Sequence, residues 1–240
     1  MKFEIPLIKA KLVRRYKRFL ADVILSDGSE TTVHCPNTGS MLGCNEPGST
    51  VWLLPVDNPT RKYPLGWELV EVNESVLVGI NTGRSNNLVA EALERGLIGE
   101  LTGFASIRRE VKITGTRSRI DFLLSEHKTE PDCYLEVKNV TASVDNDCAF
   151  FPDAVSIRAK RHVEELAQRV EAGQRGALCF CVQRADVEYV VPADEIDPAY
   201  GKALRKAVEV GVEVYALGAT VTSQSVSLER RLPVKLDGKY

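Results

Sequence analysis

The chain has 240 residues, 44% hydrophobic and 27% charged, with a formal net charge of −2 at pH 7, enough for one large domain or a small domain joined to a medium one. No apolar run reaches the roughly 18 residues of a membrane span, and MKFEIPLIKAKLVRRYKRFL scatters its charges instead of placing them ahead of an apolar block, so a cytoplasmic protein with no membrane partner is expected. The near-zero balance excludes a uniformly basic coat and leaves room for a local basic face.

Up to residue 82 the pattern is of short strands and turns: KAKLVRRY, RFLADVILS, the turn Asp27-Gly28, SETTVHC, TVWLLPV, WELVEV, the turn Asn73-Glu74 and SVLVGIN. Five or six short strands in about 80 residues predict a small β-barrel over 1–82, and an OB-type barrel fits best. The loops 36–44 and 57–64 are rich in turn formers, as loops at a barrel mouth would be. Residues 1–20 hold seven basic side chains against Glu4 alone. Of these, Arg14, Arg15, Lys17 and Arg18 are candidate DNA contacts, with Tyr16 inside the run as a stacking candidate. Phe19, Trp52, Tyr63 and Trp67 are expected mainly in the core. The six cysteines, Cys35, Cys44, Cys133, Cys148, Cys179 and Cys181, are read as reduced thiols rather than disulfides or zinc ligands.

From residue 83 to 240 helices and strands alternate, predicting an α/β (α+β) domain with a mixed sheet. SNNLVAEALERG reads as a helix capped by Ser85 or Asn86 and stopped at Gly96. Strands IRREVKI, RSRIDFLLS and CYLEVKNVT follow, then an amphipathic helix over 153–172, strands GALCFCVQ and DVEYVV, helix AYGKALRKAVEVG, strand VEVYAL and a terminal hairpin. Cys179 and Cys181, two apart in GALCFCVQ, should face one way as small hydrophobes.

Alternation along RSRIDFLL puts Arg117, Arg119 and Asp121 on one face, and along CYLEVKNVT it groups Tyr134, Glu136 and Lys138. If the two strands are neighbours, Asp121, Glu136 and Lys138 converge. Two carboxylates suit Mg²⁺ or Mn²⁺, which keep waters and phosphate oxygens in the rest of their shell, and an ammonium can orient a water and stabilise developing charge. A cross-strand ion pair would explain the same residues without catalysis. The arrangement resembles the core of the PD-(D/E)xK nuclease superfamily. Arg108, Arg109, Lys112, Arg117 and Arg119 precede it, and Arg158, Lys160, Arg161 and His162 follow it. Arg117, Arg119, Arg158 and Arg161 are candidate DNA contacts, and Glu91 is a candidate further metal ligand, equally readable as a helix-surface acid.

RYKRFLADV, HCPNTGSMLG, RKYPLGWEL, VGINT, SRIDFLL, CYLEVKNVT and FPDAV, in this order, resemble the sugar fermentation stimulation protein A family nearly end to end. The resemblance implies an OB-type domain joined to a PD-(D/E)xK nuclease-like domain, with Asp121, Glu136 and Lys138 at the family's acid and lysine positions. It also implies largely sequence-nonspecific DNA binding and a regulatory role in sugar (maltose) metabolism. After Phe151-Pro152-Asp153-Ala154 the chain departs from the family's usual residues, with Ile157 where a glutamate is usual. A helix-turn-helix assigned to the family would fall at 199–218, but VEVYAL alternates like a strand, leaving no second helix for a DNA groove. The leading expectation is a DNA-binding protein whose affinity comes from phosphate contacts. An active Mg²⁺-dependent endonuclease is the alternative, and a sequence-specific transcription regulator ranks third. Nothing in the sequence fixes an oligomeric state.

Overall fold

A computed structural model describes residues 1–58, 60–73, 75–113, 118–143 and 147–238; Glu74 of the expected second turn and Arg117 lie outside them. The first six strands, β1 (Ile8–Tyr16), β2 (Leu20–Leu25), β3 (Glu30–His34), β4 (Thr50–Pro55), β5 (Leu65–Val72) and β6 (Val76–Gly79), form one sheet in the order β3-β2-β1-β4-β5-β6. A bridge between His34 and Gly66 joins β3 to β5 and closes it into the expected OB-like barrel. Period-2 alternation drives the closure: in β1, Ala10 and Leu12 are buried while Lys9 and Lys11 face solvent. Trp67, Val33, Met41 and Leu53 fill the interior, and the Trp67 indole nitrogen is satisfied by the Leu69 carbonyl at 2.8 Å.

The second sheet is mixed, as expected. Its strands β7 (Ser106–Lys112), β8 (Arg119–Ser125), β9 (Cys133–Val140), β11 (Arg175–Val182), β13 (Glu213–Val221) and β14 (Val226–Arg231) are ordered β14-β13-β11-β9-β8-β7. β9, β11 and β13 run parallel and the outer strands antiparallel. Helix α1 (Ser85–Glu94) covers one face, and α2 (Ile157–Glu171) and α3 (Pro198–Glu209) cover the other. Covered on both faces, β11 has no polar side and reads as an unbroken apolar run. Cys179 and Cys181 pack toward α1, and Leu178, Phe180 and Val182 toward α2 and α3. All six cysteines are buried free thiols.

Three local readings are corrected. Helix α2 begins at Ile157 rather than 153, because Ser156 takes a non-helical conformation and its side chain accepts from the Ala159 amide. Neither Ser85 nor Asn86 caps α1: a 3-10 turn at Thr82–Arg84 leads directly into it and frees both side chains for other partners. A further strand, β10 (Asp147–Phe151), pairs in parallel with β12 (Val187–Pro192) outside the main sheet. The segment after α3 is β13, as VEVYAL suggested. Among the described residues no helix is long and apolar enough to cross a membrane.

Candidate functional site

β8 and β9 are antiparallel neighbours, paired at Phe122↔Leu135, Leu123↔Tyr134 and Leu124↔Cys133. Just beyond the Phe122↔Leu135 end of this ladder a side chain takes over: the Val137 amide donates to Asp121 Oδ2 at 2.7 Å. Asn86, in the first turn of α1, donates to Asp121 Oδ1 at 2.8 Å. Alternation along β9 sends Leu135 and Val137 into the core beneath α1 and Glu136 and Lys138 to the opposite face, where both are buried.

There Lys138 Nζ donates to Glu136 Oε1 at 2.6 Å. His162, buried on α2, places Nδ1 in very short contact with the same oxygen and 3.3 Å from Lys138 Nζ. Arg158, one turn earlier on α2 and exposed, contributes a long contact from Nε to His162 Nε2 at 3.4 Å. Glu136 Oε2 is buried with no hydrogen-bond partner among the described residues. Asp121, Glu136, Lys138 and Arg158 open onto a cleft of about 270 Å³, walled also by Thr82, Asn139 and Phe151.

The two carboxyl groups are driven apart. Burial, then the neighbouring Glu136 charge, pushes Asp121 up to about 6. Burial also pushes Glu136 up, but the hydrogen bonds and charges of His162 and Lys138 together outweigh it and hold its carboxyl below the usual range. Two adjacent carboxylates, one with an orphaned buried oxygen, are a donor set that fits a hard divalent cation. No group of three His, Cys, Asp or Glu side chains among the described residues could hold a metal. Such an ion would therefore complete its shell with water and phosphate oxygens, as Mg²⁺ does.

The structure brings Asp121, Glu136 and Lys138 together with Arg158 at the mouth, and leaves other candidates elsewhere. Glu91 does not line the cleft; its carboxylate holds the Met1 ammonium at 2.8 Å. Arg161 is exposed on α2, 3.8 Å from Glu165, and Arg119 is exposed at the start of β8. In the N-terminal run, Arg14 is bound to Asp22 at 2.8 Å and lies over the Tyr16 ring, while the Tyr16 hydroxyl also donates to Asp22. Arg15 spends its guanidinium on the carbonyls of Arg18, Asn37, Gly39 and Ser40. Lys17 and Arg18 occupy left-handed backbone at the β1–β2 hairpin tip, exposed beside Phe19, which is 46% exposed rather than in the core. Asn86 and His162 are the site residues whose role the sequence left open. Two asparagines in the first turn of a helix, and a histidine one turn from Arg158, were the signals available.

A family model described as the sugar fermentation stimulation protein RE domain matches residues 83–225, and one described as the SfsA N-terminal OB domain matches residues 13–80. A sugar fermentation stimulation protein homolog of Alkalilimnicola ehrlichii is 55% identical over 235 residues, covering 98% of this chain and 99% of its own. One of Thioalkalivibrio sulfidiphilus is 57% identical over 236 residues, covering 98% of each. A solved structure of Pyrococcus furiosus SfsA in complex with Ca²⁺ superposes with a TM-score of 0.86 at 25% identity, covering 98% of both chains.

Proposed function

The chain belongs to the sugar fermentation stimulation protein family, and from that membership we propose that it is a cytoplasmic DNA-binding protein, largely indifferent to base sequence, that seats a backbone phosphate in the Asp121–Glu136–Lys138 cleft. The observation that carries this reading is a carboxylate pair, Glu136 buried and Asp121 half-buried, with its lysine and histidine, opening beside an exposed arginine. Arg158 at the mouth and Lys17 and Arg18 on the hairpin supply phosphate contacts that carry no base information. The six buried thiols suit a reducing compartment. A role in sugar fermentation follows the relatives' name and would act through occupancy of DNA, since α3 is followed by a strand and lacks the partner helix of a groove reader.

A second reading, that the cleft is a Mg²⁺- or Mn²⁺-dependent endonuclease site, is favoured by the orphaned Glu136 Oε2 and by the Pyrococcus furiosus relative, whose structure is a complex with Ca²⁺. Asp121 and Glu136 would hold the cation, which supplies polarisation of the phosphate and a more acidic bound water. His162 and Lys138 fix Glu136 Oε1 from two sides, leaving the unpartnered Oε2 as the oxygen free to bind the cation. The Val137 amide and Asn86 orient Asp121 in the same way. The Lys138 ammonium offsets one of the two carboxylate charges and a divalent cation would offset the rest, so that an anionic phosphate can approach.

Binding of labelled duplexes of random sequence, titrated with salt, tests the first reading. Affinity should fall linearly on logarithmic axes and differ little between sequences, and absence of binding at low salt would remove it. Incubation of supercoiled DNA with Mg²⁺ or Mn²⁺ tests the second. Cleavage lost in Asp121→Asn and Glu136→Gln while binding persists establishes it, and intact DNA with either ion sinks it.

A further inference from the structure

A second cavity adjoins the carboxylate cleft. It has about 180 Å³ and shares Thr82, Asn139 and Phe151 with its neighbour, so the two lie side by side with one wall in common. Its far wall is the barrel loop, with Asn37, Thr38 and Gly39. At roughly 30 Å³ per water it has room for the bulk of about six waters, a ring system rather than a whole nucleotide.

The chemistry of its lining differs from that of the first cleft. No Lys, Arg or His lines it, and its one charge, Asp153, is engaged by the Ser40 hydroxyl at 3.2 Å and the Met41 amide at 3.0 Å. An anion would be repelled here; a neutral group would not. Asn139 has its Oδ1 bound by Ser85 at 2.8 Å and by Gln183 at 2.6 Å. Buried Asn37 has its Oδ1 bound by the Gly39 amide at 2.9 Å. Anchoring each oxygen fixes each amide's direction and leaves its NH₂ group, which has no acceptor among the described residues, as a pre-oriented donor. Phe151 packs at 5.7 Å from Phe180 and 5.3 Å from Tyr200, centroid to centroid, so the ring shared by the two cavities is held in place. Arg15 immobilises the opposite wall through the carbonyls of Asn37 and Gly39.

We propose that this cavity is a nucleobase subsite: the base next to the phosphate held at Asp121 and Glu136 leaves its stack and enters between Phe151 and the 37–39 loop, its ring and carbonyl acceptors facing Asn37 and Asn139. The proposal rests on the DNA-binding reading of the adjoining cleft and adds that the substrate is a single strand or an extruded nucleotide. Indifference to sequence is retained, because every base offers an aromatic face and at least one acceptor.

The test is an abasic scan. The full chain, with Ca²⁺ present, is titrated with a fluorescent single-stranded oligonucleotide and with variants each lacking one base. A base seated in a pocket contributes enough that its removal should weaken binding about tenfold at one position counted from the anchored phosphate. Thr38→Trp, which fills the mouth from an exposed loop position, should bring the intact strand down to that abasic level with its salt dependence unchanged. Thr38→Ala should keep the positional penalty. Comparable melting temperatures for wild type and both variants show that neither change unfolds the loop. Equal affinity at every abasic position, or a Thr38→Trp protein that retains the penalty, overturns the subsite while leaving backbone binding intact. Failure of every strand to bind overturns the subsite and the DNA-binding reading together.

Discussion

Glu136 and Asp121 sit side by side, yet they should respond oppositely to loss of charge. Glu136 Oε1 is the acceptor for both Lys138 and His162. Glu136→Gln leaves a buried ammonium without its counter-charge and should cost about 3 kcal/mol in metal-free protein, the scale of a broken buried pair. Asp121 carries a carboxyl raised from 3.8 to about 6. Below pH 4 it is protonated in both folded and unfolded chains and exacts no penalty. Between 4 and 6 only the folded chain keeps the proton, so stability falls as pH rises; above 6 the full cost of burying the charge is present. Asp121→Asn removes that cost, and in chelator at pH 7 to 8 it should be more stable than wild type by on the order of 2–3 kcal/mol. Urea melts of both variants from pH 4 to 8 check this. An Asp121→Asn protein no more stable than wild type at pH 8, or equally stabilised at pH 4, would show that burial does not raise this carboxyl.

At the scale of elements, the β1–β2 hairpin divides its basic residues between two tasks. Arg15 faces inward onto four carbonyls and staples the hairpin to the 37–40 loop, whereas Lys17 and Arg18 stand at the exposed tip. Arg15→Met should lower stability by roughly 1–3 kcal/mol, the range for losing hydrogen bonds to a charged donor, and speed hydrogen exchange at Gly39 and Met41. The pair Lys17→Ala with Arg18→Ala should leave the melt unchanged and flatten the salt dependence of DNA binding by about 1.4 to 1.8 in slope. The reverse assignment of effects would overturn the division. Sequence alone did not separate these residues, because a run such as RRYKR identifies charge without showing which side chains turn toward a loop 22 to 25 residues away. Strands and helices were legible where periodicity is local, as in IKAKLVRRY or in the apolar stripe of α1. β10 was not, because DCAFF is short and its parallel partner lies across the whole of α2 and β11. At the site, Asp121, Glu136 and Lys138 were readable from strand alternation. His162 acquires its role from tertiary packing, which no spacing in the chain encodes.

On the scale of the whole molecule, the paired cavities persist only if barrel and second sheet stay in register, and several contacts hold them. The Gly79 amide donates to the Gln183 carbonyl at 2.8 Å, and the Gln183 side chain donates to Asn81 and Asn139. A Cβ at Gly79 would lie 2.5 Å from Gln183 Oε1 and 3.1 Å from its Cβ, so any larger residue must displace the Gln183 side chain. Cys44 of the barrel meets the Thr141 carbonyl, and Asp153 receives Ser40 and Met41. Leu69, Trp52 and Leu77 of the barrel join the apolar cluster under α1. Two bodies sharing a core cannot expose it separately without losing burial on both sides, so the chain should unfold in one transition with equal calorimetric and van't Hoff enthalpies. Gly79→Val forces the seam apart without touching the Asp121, Glu136 and Lys138 side chains. It should split the scan into two transitions and weaken DNA binding that depends on both halves, while divalent-ion binding at Asp121 and Glu136, measured by calorimetric titration, survives. A wild-type scan already split in two, or a Gly79→Val protein that melts as one unit with unaltered DNA affinity, would mean that the seam is not what aligns the two adjoining cavities.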